Sequence, residues 1–143
     1  MTTFQIITDS ACDLPKAMLQ ELDISAVSLT VNFRGETRND SVADADVKEL
    51  YDAMRSGEVA TTAAVNPDGW ARKIEEALAA GQDALVMTFS GGLSTTYQSA
   101  VIAATDLAEK YPERKIRVVD TLCASLGEGL LVYHTCKKRD EGM

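Results

Sequence analysis

Basic residues are scarce in this chain, and so are most of the side chains that do chemistry. Its 143 residues hold 14 Lys and Arg against 22 Asp and Glu, a formal net charge of −8. A nucleic-acid-binding face needs a clustered positive field, so that class of partner is not expected. The same deficit removes any attraction to anionic lipid surfaces. There is one histidine, His134, with no nucleophile–carboxylate pattern around it, and a hydrolytic triad cannot be assembled from it. Cys12, Cys123 and Cys136 make an odd count without CxxC spacing. They read as free thiols of a reducing, cytoplasmic environment rather than a metal or disulfide framework. No run approaches the ~20 apolar residues of a membrane span, and the first ten residues lack the basic and apolar regions of a signal peptide. GxxxxGK[ST] and GxSxG are both absent, which excludes a P-loop and a nucleophile elbow.

What remains is an ordinary globular composition, 45% hydrophobic, in a length that suits one domain with its own core. Short apolar runs alternate with amphipathic stretches. Phe4 to Thr8 reads as a buried strand and Leu14, Met18 and Leu22 as a short helix over about 14–22, with Asp13 as its N-cap. Ala26 to Phe33 alternates at period two and predicts one strand. Arg34-Gly35-Glu36 predicts a turn, with Thr37-Arg38 returning antiparallel. Asp46 and Glu49 resemble a capping box for a helix that Gly57 ends. Ala60 to Val65 reads as a small-residue loop. Asn66-Pro67 opens the next helix, which Gly81 stops. Ala84 to Phe89 is a continuous apolar strand, Ser90-Gly91-Gly92 a tight turn, and Leu93 to Tyr111 a long helical stripe. Ile116 to Val119 predicts another strand, and Leu122 to about Arg139 a last helix. Such alternation predicts an α/β domain with a mostly parallel sheet and helices on both faces.

Ligands of open parallel sheets bind beyond the carboxyl ends of the strands. Asp9-Ser10, Ser90-Gly91-Gly92 and Asp120-Thr121 each follow a predicted parallel strand, so they should share one rim. Gly91 and Gly92 let backbone amides approach a ligand closely. The start of the following helix would favour an anion there, and Ser90 and Thr62 add hydroxyl donors. Each feature also has a plainer reading. The Gly pair makes a tight turn, the Thr62 hydroxyl bonds its own loop, Asp9 and Asp120 cap, Ser10 pins its turn, and Cys12 and Trp70 pack in the core.

Four segments, in order, resemble the DegV family. Thr8-Asp9-Ser10-Ala11-Cys12-Asp13-Leu14-Pro15 is similar to its TDS…DLP opening, and Thr61-Thr62 with Pro67 to its TTSQPSP loop. Ser90 to Ala100 is similar to its SSGLSGTYQSA turn, and Val118-Val119-Asp120-Thr121 with Gly127 to Leu131 to its VIDS…SMGxGLL segment. Two places depart from the pattern. The family's TSQPS reads Thr62-Ala63-Ala64-Val65-Asn66, and its second Ser and last Gly of SSGLSG are Gly91 and Thr95. The resemblance implies the N-terminal α/β domain of a two-domain, non-enzymatic carrier, with the C-terminal domain lying outside this chain. It implies a long-chain fatty acid held by its carboxylate and presented to a fatty acid kinase, with no metal or other cofactor. Thr62, Ser90, Gly91, Gly92, Ser10 and Asp9 are the ligand-binding candidates. Two alternatives stand beside it: a phosphotransferase or dihydroxyacetone-kinase-like subunit, for which no rim histidine is present, and a truncated domain with no ligand. An acyl chain contributes about 0.8 kcal/mol per buried CH₂, so sixteen carbons give on the order of 12 kcal/mol if all are buried. The tail would then dominate affinity, and the head-group donors would set orientation.

Overall fold

A computed structural model describes residues 4–40 and 44–143. Seven strands and five helices follow in the order β1 (Phe4–Asp9), α1 (Lys16–Glu21), β2 (Ile24–Val27), β3 (Thr30–Phe33), β4 (Glu36–Asn39), α2 (Asp44–Arg55), β5 (Thr61–Ala63), α3 (Pro67–Ala79), β6 (Asp83–Thr88), α4 (Thr96–Lys110), β7 (Ile116–Asp120) and α5 (Leu126–Asp140), with a single 3-10 turn, Ser10–Cys12, after β1. The main sheet has the order β2-β1-β6-β7 and is parallel throughout.

Period two decides which helix packs where. On β1, Ile7 points to one face with Val86 and meets Trp70, Ile74 and Leu78 of α3 and Ala100 and Leu107 of α4. Ile6 and Met87 point to the other face, against Leu19 of α1 and Val132 and Cys136 of α5. The sheet is therefore covered on both sides, as its unbroken apolar strands require. Asn66 caps α3 by accepting from the Gly69 amide at 2.8 Å, with Pro67 in the first turn. A three-stranded antiparallel sheet, β4-β3-β5, stands apart and buries Val31 and Phe33 against Ala53 of α2.

Several expectations need correction. The stretch Ala26 to Phe33 is two strands in two sheets, parted at Ser28-Leu29. The alternation hides the break because Leu29 still points into the main core while Val31 and Phe33 fill the small one. Ala60 to Val65 is not all loop: Thr61–Ala63 pairs with β3. Helices α1, α4 and α5 begin later than their apolar stripes suggest. Asp13 is not the α1 cap but a left-handed residue closing the 3-10 turn (φ 54°). The Ser90 carbonyl accepts from both Leu93 and Ser94 amides, making a turn before α4 starts at Thr96. Leu122 and Ser125 have φ of 55° and 53°, which a helix cannot accommodate, so α5 starts at Leu126. The helix α2 starts at Asp44, which puts Asp46 inside its first turn rather than at the cap.

Candidate functional site

All four strands of the main sheet run the same way, so Asp9, Val27, Thr88 and Asp120 end on one edge. Asp9-Ser10, Ser90-Gly91-Gly92 and Asp120-Thr121 thus share a rim. Hydrogen bonds knit it together. The Phe89 amide donates to Asp9 Oδ2 at 2.8 Å, tying β1 to the strand that leads into Ser90. The Ser90 amide donates to the Cys123 carbonyl at 3.0 Å, and Thr121 Oγ1 to the Thr88 carbonyl at 2.7 Å.

The six candidates divide by what their polar atoms already do. Asp9 is fully buried. Its oxygens accept from the Ala11 amide at 3.1 Å and the Phe89 amide at 2.8 Å. Burial pushes its carboxyl up to about 6 against those amide bonds, which favour the anion. Ser10 is buried, and its Oγ accepts from the Leu29 amide at 3.0 Å, pinning the link between β2 and β3. These two side chains face inward and order the rim from beneath. Gly91 donates to Asp120 Oδ1 and Oδ2 at 3.1 and 3.2 Å, and Gly92 to Ser90 Oγ at 3.2 Å. Both amides are therefore engaged within the chain, and neither belongs to the first turn of α4. A Cβ at Gly91 would lie 2.7 Å from Asp120 Oδ2, so a side chain there could not coexist with this aspartate position.

Ser90 and Thr62 differ from these four. Ser90 Oγ accepts from Gly92, and among the described residues its hydroxyl proton has no acceptor. Thr62 is exposed on β5 opposite Val31, and its hydroxyl makes no hydrogen bond among the described residues. The two sit in segments joined through one residue that the motif reading passed over. Thr96 is fully buried and its Oγ1 accepts from the Val65 amide at 3.3 Å, just past β5, while standing 2.8 Å from Ser94 Oγ in the Ser90 turn. The Trp70 indole donates to the Thr96 carbonyl at 3.1 Å. The repeated Thr95-Thr96 gave no hint of which hydroxyl would turn inward.

Chain comparisons bear on this rim. The model of the DegV family, whose members are described as uncharacterised proteins, matches residues 3–143. The chain belongs to the DegV family. A DegV domain-containing protein of Clostridium perfringens is 39% identical over 143 residues, which is 99% of this chain and 49% of that protein. This chain thus spans about half the length of the relatives it matches. Among solved DegV structures, a fatty-acid-binding protein from Thermus thermophilus is 34% identical, with a TM-score of 0.84 over 99% of this chain and 49% of that one. The Streptococcus pneumoniae fatty acid kinase B3 protein, loaded with linoleic acid, is 27% identical, with a TM-score of 0.80 over 99% of this chain and 50% of that one.

Lys, Arg and His side chains are missing from the rim turns themselves. No group of three or more potential ligands among the described residues could hold a metal ion, and no described helix is long and apolar enough to cross a membrane. Exposed leucines stand in the rim turns, Leu93 after Ser90-Gly91-Gly92 and Leu122 after Asp120-Thr121, and Leu126 and Leu130 are exposed on α5. An open cleft of about 410 Å³ between α1 and α5 is lined by Leu14, Met18, Leu126, Gly129, Leu130 and Tyr133. Unengaged hydroxyls on segments that also expose leucines suit an amphiphile with a small polar head.

Proposed function

We propose that this chain is the head-group half of a long-chain fatty-acid carrier, a protein that binds and presents its ligand without transforming it. Thr62 and Ser90 donate hydrogen bonds to the fatty-acid carboxylate. The acyl chain lies on the apolar surface beside them. The rest of the tunnel comes from the portion that full-length relatives carry beyond this length. The observation that supports this reading most is the pair of unengaged hydroxyls, Thr62 and Ser90, on segments tied to each other through Thr96. The relatives add to it, since the Thermus protein binds fatty acid and the pneumococcal one carries linoleic acid. With the Gly91 and Gly92 amides already engaged, the two side-chain hydroxyls carry the head group and the backbone contributes rigidity. This reverses the weighting expected from the Gly pair alone.

Transfer to a fatty acid kinase fits the pneumococcal relative's description as a fatty acid kinase protein. A kinase needs the bound carboxylate to remain reachable, and a head group held at the open rim satisfies that. The test is extraction of lipid from the purified protein followed by mass spectrometry, with Thr62→Val/Ser90→Ala as comparison. The carrier reading predicts straight-chain fatty acid from the parent protein and little from the variant. Equal loading of both would overturn it.

A further inference from the structure

Glu128 is the one fully buried acid on α5, and the head-group reading gives it no role. It lies in the first turn of that helix and reaches back beneath the end of β1. Its Oε1 accepts from Thr8 Oγ1 at 3.0 Å. Its Oε2 is buried and receives no donor. The Asp9 side chain is within hydrogen-bonding reach of it. The charged groups facing the pair are further acids, Asp13 beyond the 3-10 turn and Asp40 at the end of β4, with the Cys12 thiol also close. The buried cation of α5, Arg139, is engaged at the far end of the helix by the Leu22 and Asp23 carbonyls. Two ionised carboxylates this deep, with no cation beside them among the described residues, would repel in a low dielectric. Helix α5 packs tightly against the end of β1 here: a Cβ on Gly129 would come 2.5 Å from the Cys12 carbonyl oxygen.

We propose that Glu128 is a positioning residue of the rim: it stays a neutral acid and donates its proton from Oε2 to the Asp9 carboxylate, so that the pair clamps α5, the end of β1 and the Phe89–Ser90 turn together. The direction of the sharing follows from the partners. Asp9 receives two backbone amides, which stabilise its anion, whereas Glu128 receives a single hydroxyl. Burial and the facing Asp9 charge accordingly push Glu128 up to about 9. Above that range the second charge forces the clamp open at Phe89, the residue next to the Ser90 hydroxyl. Its consequence for ligand rests on the fatty-acid reading, but the shared proton does not.

A ¹³C NMR titration of the side-chain carboxyls, with Glu128 assigned through Glu128→Gln, decides it. The expected result is a Glu128 signal that stays protonated through neutral pH and titrates only in the alkaline range, with the Phe89 and Ser90 amide signals moving at the same midpoint. In Asp9→Asn that midpoint falls toward the ordinary carboxylate range. A Glu128 that titrates with the surface acids overturns the proposal, and so do Phe89 and Ser90 amides that ignore its titration. Oleate affinity should fall severalfold from neutral to alkaline pH in the parent protein and less in Glu128→Gln. Identical pH profiles would remove the positioning role. Absence of oleate binding at every pH would instead count against the fatty-acid reading and leave the NMR result to decide the clamp.

Discussion

Ser90 and Thr62 make different demands on substitution. Thr62 is exposed and its hydroxyl makes no hydrogen bond among the described residues, so Thr62→Val keeps the β-branched shape that suits a strand and should leave stability unchanged. Ser90→Ala also deprives the Gly92 amide of its acceptor, which costs about 1 kcal/mol. Each lost bond to a carboxylate is worth roughly 1.5–3 kcal/mol, so either variant should weaken fatty-acid binding by about tenfold or more. Titration calorimetry beside thermal melts separates the two effects, and unchanged affinity in both variants would displace them from the site. The buried acid pair makes a prediction about stability. Glu128 moves from an ordinary value of 4.5 up to about 9, and Asp9 from 3.8 to about 6. Between those limits the folded state binds more protons than the unfolded chain, so unfolding free energy falls as pH rises, by up to about 1.4 kcal/mol per pH unit for one group. Above pH 6 the slope belongs to Glu128. Urea midpoints should therefore decline from pH 6 to 9 in the parent protein and stay flatter in Glu128→Gln.

Elements meet at two contacts that a substitution can probe. The first is Thr96, where β5 and the Ser90 turn join. Thr96→Val keeps the volume but leaves the buried Val65 amide without its acceptor, at about 1–3 kcal/mol. It should also lower fatty-acid affinity although residue 96 itself is buried, because Thr62 and Ser90 lose their common anchor. A binding assay on the folded variant checks this, and full affinity would show that the two segments hold position independently. The second is Gly129, where α5 meets the carbonyl of Cys12. Gly129→Ala should cost about 1–3 kcal/mol by overpacking, read as a lower denaturant midpoint. Much of this level could be read from the sequence. The strands β1, β6 and β7, the helix α3 with its Asn66 cap, and the shared rim follow from period and punctuation. The division of Ala26 to Phe33 could not be read, because both sheets ask for the same alternation across the break. The late starts of α4 and α5 were hidden because Leu93 and Leu122 continue the apolar stripe outward from the helix instead of into the core, where both stand exposed. At the site, Thr62 and Ser90 stood out through the resemblance to the DegV segments. Thr96 and Glu128 did not, since burial and partner choice are tertiary facts.

Across the whole molecule, exposed leucines stand around the rim of a chain about half as long as the relatives it matches. Leu122 and Leu93 are 77% and 70% exposed in a chain that spans 49% of its Clostridium perfringens relative. Apolar tail burial would provide most of the affinity at about 0.8 kcal/mol per CH₂, and one wall cannot bury a chain on all sides. A full-length relative should therefore bind the same fatty acid far more tightly than this chain, a comparison that calorimetry makes directly; equal affinities would mean that the tail lies wholly on this half. The head group is where this chain must act by itself, and carboxyl-labelled oleate reports on it alone. The ¹³C carboxyl resonance of oleate should shift on adding the parent protein, with weak affinity, and should return to the free position with Thr62→Val/Ser90→Ala. The same shifted resonance in parent and variant would contradict a carboxylate held by these two hydroxyls.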